Sequence, residues 1–406
     1  MFRIFMVVLL FCFCISTNGF SQITKPEFRA AWVATVSNID WPSSKNLSTE
    51  EQKASFIKLI DYHKSVGLNA IIVQIRPSAD AFYPSPYEPW SEWLTGQQGM
   101  APYPFYDPLQ FMIEEAHERG MQFHAWMNPY RAVFNNARSS LTPFHITKVH
   151  PDWFVNYGDL KYFDPGNEKV MDYVTAIVRD VVRRYKVDGI HFDDYFYPYR
   201  IAGIEFPDAI SYKNSGTTLK KDDWRRSNTD TIISRLYKAI KEEDKYCQFG
   251  ISPFGVWRNI ANDADGSMTN AGQTNYDDLY ADVLLWMRKG WIDYVTPQLY
   301  WEFGHKAAAF EELVDWWARH TYGVNCYIGL GLYRANTNTA WRDKTQLPRQ
   351  IETIRKYSNL NGVVLYSSKF VQSNPNGWSD SLRLNYFKTQ VPAPMQRPEE
   401  VGVNAR

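Results

Sequence analysis

Two adjacent aspartates, Asp193 and Asp194, close the run VDGIHFDDYFYPY (187–199), and four aromatic residues crowd in behind them. Strand propensity disfavours aspartate and neighbouring carboxylates repel, so a strand ending this way either turns into solvent or builds a site. Two carboxylates can divide the work of bond cleavage, one acting as acid and the other as nucleophile or base. Cleavage of a glycosidic bond uses such a pair. The best-placed second carboxylate is Glu302 in PQLYWEFG; Glu88, Asp80 and Glu205 are weaker candidates.

Side chains alternate faces along a strand, so parity shows which of them share a direction. In GIHFDDY, Ile190 and Phe192 suit a helix-facing side and leave His191 and Asp193 pointing inward, with Asp194 one step beyond. Parity favours Asp193 as the reacting group and position at the strand tip favours Asp194. The same rule groups Gln74 with Arg76, His124 with Trp126 and Asn128, and Thr296 with Gln298, Tyr300 and Glu302. Polar rows at several strand ends are unfavourable unless they bond to one another or serve a site. Arg76 and Arg131 are suited to hold a carboxylate ionised or to anchor an anionic group. His124 and His191 read equally as hydrogen-bonded core histidines or as acid–base groups.

Such rows need a scaffold that brings strand ends together. From Phe28 onward eight β-like runs alternate with helical stretches: FRAAWVATV, NAIIVQIRP, MQFHAWMNP, DGIHFDDY, CQFGISPFG, IDYVTPQLYW, VNCYIGLGLY and GVVLYSS. Ser48 and Glu51 form a capping box before one helix, and Asp107-Pro108 opens another. Later helical patterns cover 168–184, 222–243, 276–289, 306–319, 345–357 and 380–389. Eight strand–helix units predict an α/β fold, a single (β/α)8 TIM barrel over residues 22–390. An open doubly wound sheet is the competitor, but ATVSNIDWP lacks the glycine-rich phosphate loop that usually follows its first strand. Segments after the strands are long and aromatic while those before them are short, as expected where loops at the strands' carboxyl ends build a site. Seven rings in the second and fourth of these loops, Tyr83, Trp90, Trp93, Tyr106, Tyr195, Tyr197 and Tyr199, are predicted to line one groove.

Composition narrows the chemistry. The 406 residues carry 44 basic and 44 acidic side chains, and this balance argues against a nucleic-acid binder. Aromatics make up 16% of the chain, with 15 Trp and 26 Tyr, more amphipathic rings than a core calls for; their faces suit the C–H faces of sugars. Residues 1–21 read as a secretory signal: Arg3, then the apolar run IFMVVLLFCFCI, then NGFSQ with small residues spaced for cleavage. Phe11 and Phe13 stand where a lipid-attachment signal at Cys12 or Cys14 wants a small residue. An exported, periplasmic or secreted protein is expected, with no spanning segment after cleavage. Residues 391–406, with three prolines and no apolar period, read as a flexible tail. Cys247 and Cys326 begin the fifth and seventh runs, roughly 9–10 Å apart across one intervening strand, too far for a disulfide. No Cys-x-x-Cys or His-Glu-x-x-His spacing occurs, and no metal or cofactor is predicted. Oligomeric state is not legible.

The segments FRAAWVATVSNIDWP, VQIRPSADAFYPSPYEPWSEWLTG, HAWMNPYR, DGIHFDDYFYP and TPQLYWEF together resemble the glycosyl-hydrolase-like 10 family over nearly all of the mature chain. The resemblance implies a (β/α)8 barrel in exported bacterial proteins. The family's best-understood members resemble a divisome-localised glycosidase that cuts peptidoglycan glycan strands after amidases have removed their peptides. The family's motifs fall here on Arg76, Asn128, Arg131, Asp193, Asp194, Tyr300 and Glu302. The fourth run also resembles, more distantly, the family-18 chitinase pattern. Asp188, Gly189 and Asp193 fit it, but His191 and Tyr195 replace its second aspartate and its glutamate. The expected function is an exported glycoside hydrolase of a denuded, N-acetylated glycan, with Asp193, Asp194 and Glu302 as catalytic carboxylates. Arg76, Trp90, His124, Trp126, Asn128, Arg131, His191, Tyr195, Tyr197, Gln298, Tyr300 and Trp301 are the expected ligand contacts. A glycan-binding barrel without turnover and a hydrolase of external polysaccharide are the alternatives.

Overall fold

A computed structural model describes residues 25–396, so the proposed signal segment and the end of the chain lie outside the described residues. The described residues form eleven strands: β1 (Phe28–Val33), β2 (Ala70–Arg76), β3 (Gln122–Met127), β4 (Arg131–Val133), β5 (Phe154–Tyr157), β6 (Leu160–Phe163), β7 (Gly189–Phe192), β8 (Gln248–Ile251), β9 (Tyr294–Val295), β10 (Asn325–Gly331) and β11 (Leu360–Tyr366). Eight of them close a parallel barrel in the order β1-β2-β3-β7-β8-β9-β10-β11, the predicted (β/α)8 architecture. The period-2 pattern explains the two layers. Ile71, Val73 and Ile75 of β2, with Ile190 and Phe192 of β7, face the helices, where they are buried in the main apolar core. Phe28, Ala30 and Trp32 of β1, with Ala70 and Ile72 of β2, fill the barrel interior.

Ring packing inside the barrel depends on two missing side chains. A Cβ at Gly250 would stand 1.9 Å from the Tyr294 ring, and one at Gly189 would stand 2.4 Å from His124 Nδ1. These glycines admit Tyr294 and His124 to the centre, where Phe28 stacks on Tyr327 at 4.1 Å between ring centroids.

Local signals behave as their chemistry predicts. Ser48 and Glu51 form the reciprocal capping box of helix Thr49–Val66, which Gly67 ends at φ 98°. Asp107 caps helix Pro108–Glu118. The stretch 276–289, expected as one helix, is two, Asn275–Asp278 and Val283–Arg288, with Tyr280 between them at φ 51°. Residues 380–389 divide between helix Trp378–Ser381 and a wide turn, Leu382–Tyr386. The antiparallel sheet β4-β6-β5 in the loop after β3 was not predicted. Its strands are three or four residues long, too short to display a period.

The tail differs from expectation. Residues 391–395 run across the amino-terminal end of the barrel. Asn69 Nδ2 donates to Val391 O at 3.0 Å and Glu27 N to Pro392 O at 3.2 Å. Gln122 and Gln248 both donate to Met395 O, and Ala393 is buried beneath the interior rings. A stretch without apolar period is ordered here because side-chain amides at the strand starts take up its carbonyls. Cys247 and Cys326 are both buried, and β9 lies between β8 and β10 as the strand order requires. Among the described residues no helix is long and apolar enough to cross a membrane.

Candidate active site

At the carboxyl ends of the strands a cavity of about 370 Å³ opens, with Asp193 and Asp194 in its wall and Trp32, Trp126, Tyr300 and Tyr366 around them. Trp32, Trp126, Tyr300 and Tyr366 arrive from four different strand ends or the loops just beyond them, and the two aspartates from the end of β7, as this fold dictates. Asp193 and Asp194 are the acidic residues of the lining. Both are buried, at 4% and 2% exposure, so their environments govern their protonation.

Asp193 is ringed by donors. Trp126 Nε1 lies 3.2 Å from Oδ2, Asn128 Nδ2 3.1 Å from the same oxygen and 3.3 Å from Oδ1, and the Tyr195 amide 3.3 Å from Oδ1. The Asn128 amide cannot turn round, because its Oδ1 accepts from Arg131 N at 2.8 Å, which leaves Nδ2 for the carboxylate. Burial holds the Asp193 carboxyl above its usual range, and the nearby Arg131 charge together with these donors offsets part of that rise. Arg131 stacks on Tyr195, its Cζ 4.8 Å from the ring centroid.

Asp194 has less help. Tyr199 Oη donates to its Oδ2 at 2.6 Å and Gln298 bonds to it as well, but burial, and then the charge of Asp193, push it up to about 7. Neighbours in sequence, the two groups are thus driven apart in proton affinity. One keeps a transferable proton near neutrality, and the other is held by four donated contacts and a cation. That combination can protonate a leaving oxygen while stabilising positive charge on the fragment it leaves.

Beneath the cavity a polar chain supports the floor. Trp32 Nε1 donates to His191 Nε2 at 3.1 Å, His191 Nδ1 meets Tyr294 Oη at 2.9 Å, and Tyr294 Oη meets His124 Nδ1 at 2.8 Å. A donor facing Nε2 leaves the proton of neutral His191 on Nδ1. Burial holds both imidazoles well below their usual range, His124 at about 4. His124 and His191 are therefore neutral supports under the site. Neither belongs to its lining.

Other expected residues lie elsewhere. Arg76 forms a buried two-pronged ion pair with Glu88, 2.7 Å from Nε and 2.5 Å from Nη2, and donates to Asn128 O. It braces the turn that carries Asn128 and does not line the cavity. Glu302 also falls outside the lining. Bridges from Gln298 to Phe254 and Gly329 carry the pairing past the end of β9, and alternation sends Gln298 and Tyr300 to the cavity; it ends there, because Tyr300 and Trp301, consecutive residues, both face the cavity. Glu302 then turns behind them, accepting from Asn338 Nδ2 at 3.2 Å and Trp341 Nε1 at 2.9 Å. Its own main-chain amide, Trp341, the nearby His305 and Asn338 together outweigh its partial burial and hold its carboxyl below the usual range, opposite to what a proton donor needs.

The predicted groove of seven rings divides in the same way. Tyr195 and Tyr199 line the cavity. Tyr197 is 1% exposed, packed edge-on against Phe206 and Tyr280. Trp90 lies edge-on to Phe105, Trp93 to Phe134 and Tyr83 to Tyr185, while Tyr106 Oη donates to Gln52. These rings hold the long second loop in shape. Sequence reasoning missed Trp32, Ser252, Phe254, Tyr333, Arg334 and Tyr366, all of which line the cavity. Each sits at or just beyond the end of a barrel strand, so the rule applied to β7 would have found them if carried round all eight.

Comparison with known proteins agrees with this architecture. Residues 27–347 match the family described as Glycosyl hydrolase-like 10. Glycosyl hydrolase YngK of Bacillus subtilis (strain 168) is 47% identical over 375 residues, covering 91% of this chain and 73% of the relative. Glycosyl hydrolase DigH of Escherichia coli (strain K12) is 37% identical over 391 residues, covering 88% of each. Among solved structures, the PgaB (BpsB) glycoside hydrolase domain from Bordetella bronchiseptica superimposes with a TM-score of 0.53 at 14% identity, over 88% of this chain and 98% of that one. The endo-1,4-beta-mannanase of Rhizomucor miehei gives 0.52 at 12% identity, over 88% and 95%. These two likenesses speak for the fold alone. With a family match across most of its length, two relatives named as hydrolases and a carboxylate pair at the mouth of its barrel, the chain belongs to the glycosyl hydrolase-like 10 family and is a glycoside hydrolase.

Proposed function

We propose that the chain is exported and hydrolyses a peptide-free, N-acetylated glycan of the peptidoglycan kind, with Asp194 as proton donor and Asp193 as its ionised partner. The observation that carries this reading is the contrast between the two buried carboxyls. Asp194 is pushed up to about 7 by burial and by Asp193, while Asp193 is surrounded by Trp126, Asn128, the Tyr195 amide and the Arg131 charge. Asp194 gives its proton to the glycosidic oxygen as the bond to C1 breaks, and Asp193 stabilises the positive charge that develops on the sugar. Asp194, left anionic, then takes a proton from the attacking water. Asp194 replaces Glu302 in the donor's part, because the Glu302 carboxylate is engaged with Asn338 and Trp341. Aromatic walls offer flat apolar surface to sugar rings, Trp126 and Tyr195 beside the carboxylates and Tyr300, Trp301 and Tyr366 opposite. The apolar run near the amino terminus supports export, and the resemblance carried by the strand-end motifs supports the cell-wall glycan.

The test is incubation of purified protein with glycan strands stripped of peptide, with intact peptidoglycan and with an external β-glucan, products being identified by mass. Cleavage of the stripped strands, lost by about two orders of magnitude or more in Asp194→Asn, is expected. Cleavage confined to the β-glucan, or undiminished in Asp194→Asn, refutes the proposal.

A further inference from the structure

The wall of the cavity opposite the aspartates carries a cation with nothing to neutralise it. Arg334 ends the short turn Leu332–Arg334 after β10 and lines the cavity beside Tyr333. It bonds to the neutral Tyr333 beside it, but no described carboxylate forms an ion pair with it, and its Nε is buried without a hydrogen-bond partner. Most arginines of this chain that approach burial are spent on acids, as Arg76 on Glu88 and Arg225 on Asp208. Arg131 is also unpaired, but its guanidinium is sandwiched against Tyr195 and Phe134 and its charge acts on Asp193. The acids tied to the loop that follows Arg334 are already engaged. Glu302 has both oxygens taken by Asn338 and Trp341, and Asp343 pairs with Arg349.

The backbone under Arg334 is fixed. Thr337 donates to the Arg334 carbonyl through both its amide, at 3.0 Å, and its hydroxyl, at 2.6 Å. The same loop is tied to the Tyr300–Trp301 wall through the Glu302 clamp. The backbone that carries the guanidinium is thereby fixed at the cavity, and the guanidinium lies against Tyr333, its Cζ 6.0 Å from the ring centroid, so less ordering entropy opposes its use. A planar fork of N–H donors held in this way matches a carboxylate, which it grips through two parallel charge-assisted bonds. It also answers a need of the site, since an anionic substrate meets the negative charge of Asp193 and requires a compensating cation.

We propose that Arg334 is a specificity-determining residue that selects a sugar bearing a free carboxylate next to the scissile bond. The inference deepens the reading given under Proposed function and rests on it. A glycan sugar substituted by a lactyl ether displays such a carboxylate only once its peptide is removed. With the peptide attached the same position is a neutral amide, which lacks the charge that Arg334 recognises. Selectivity for stripped strands then resides in one guanidinium, with no need for a steric gate.

The experiment compares stripped glycan strands with the same strands after their carboxylates are coupled to methylamine. Expected for the unaltered protein is a kcat/KM about ten- to a hundredfold higher on the free-carboxylate strands, most of it in KM, as loss of a charge-assisted bond implies. In Arg334→Gln that ratio collapses toward one, and Arg334→Lys, which keeps the charge without the fork, restores part of it. In parallel, calorimetry on Asp194→Asn protein measures binding of a 2-acetamido sugar carrying a 3-O-lactyl group and of its methylamide. Preference for the acid, abolished by adding Arg334→Gln, supports the assignment whether or not strands are cleaved. Equal affinity for acid and amide, or a preference that survives Arg334→Gln, overturns it. Failure to cleave either strand while the binding preference persists would refute the proposed reaction and leave the Arg334 assignment standing.

Discussion

Replacing Asp194 by asparagine should stabilise the fold at alkaline pH while removing the proton donor. The Asp194 pKa is raised from 3.8 to about 7 in the folded chain, so between those values the native state keeps a proton that the unfolded state has lost. Stability therefore falls as pH rises through that window and levels off above about 7. Asp194 is 2% exposed, so solvent does little to screen the cost. At about 1.36 kcal/mol per unit, the step is about 4 kcal/mol. The asparagine side chain cannot ionise and escapes it. It still accepts the Tyr199 hydroxyl but bonds less well to Gln298, a loss of about 1 kcal/mol at every pH. The variant should be slightly less stable than the parent at pH 4 and about 3 kcal/mol more stable at about pH 8.5. Urea unfolding of both proteins across that range, read as the difference at each pH, measures the step. A difference flat to within about 1 kcal/mol over the whole range would show that Asp194 is an ordinary ionised aspartate and would remove the basis for its role.

Further outcomes follow from the same contacts. Activity should decline above about pH 7 as Asp194 loses its proton, and Asp193→Asn should lower the pH-dependent step in stability, because the charge of Asp193 is the second cause of the shift. Glu302→Gln should retain turnover to within about threefold and lose about 1 kcal/mol by urea unfolding, since it weakens a loop clamp and touches no reacting atom. Tyr197→Ala should lower the unfolding free energy by about 3 kcal/mol as a buried-ring truncation, whereas Tyr195→Ala should raise KM with a smaller loss of stability. Deleting residues 391–406 should cost about 2–4 kcal/mol, because it strips partners from the Asn69, Gln122 and Gln248 amides, and should leave kcat unchanged.

The barrel was legible because its period-2 runs and eightfold alternation are long-range patterns that local irregularity does not erase. Parity correctly turned His191, His124 and Trp126 inward, since β7 and β3 hold regular pairing over those residues. It failed at Glu302, two residues beyond Tyr300, because the bridges end at Gln298 and the consecutive residues Tyr300 and Trp301 both face the cavity. Arginine was misread at Arg76 for a different reason. Sequence displays its charge but not the acid that folding brings to it, here Glu88, twelve residues on in the loop after β2. Aromatic abundance was read correctly in sum and wrongly in detail, because Trp90, Trp93, Tyr83 and Tyr106 hold a loop in place with the same rings that Tyr195 and Tyr199 present to the cavity. The order of 391–395 was invisible because it comes from amides at strand starts far away in sequence.

That closing segment fixes how the molecule can be held. Glu27 and Pro392 meet by a main-chain hydrogen bond at the amino-terminal pole of the barrel, while Asp193 and Asp194 open at the opposite pole. Whatever is joined to the chain outside these two positions, whether tether, partner domain or solid support, grips the molecule by its base and presents the mouth outward. The handle and the working face are separated by the full height of the barrel. With its two strand-bearing ends already touching, the fold is also suited to circular permutation, in which a short linker joins that pole and new ends open in any exposed loop that carries no part of the cavity.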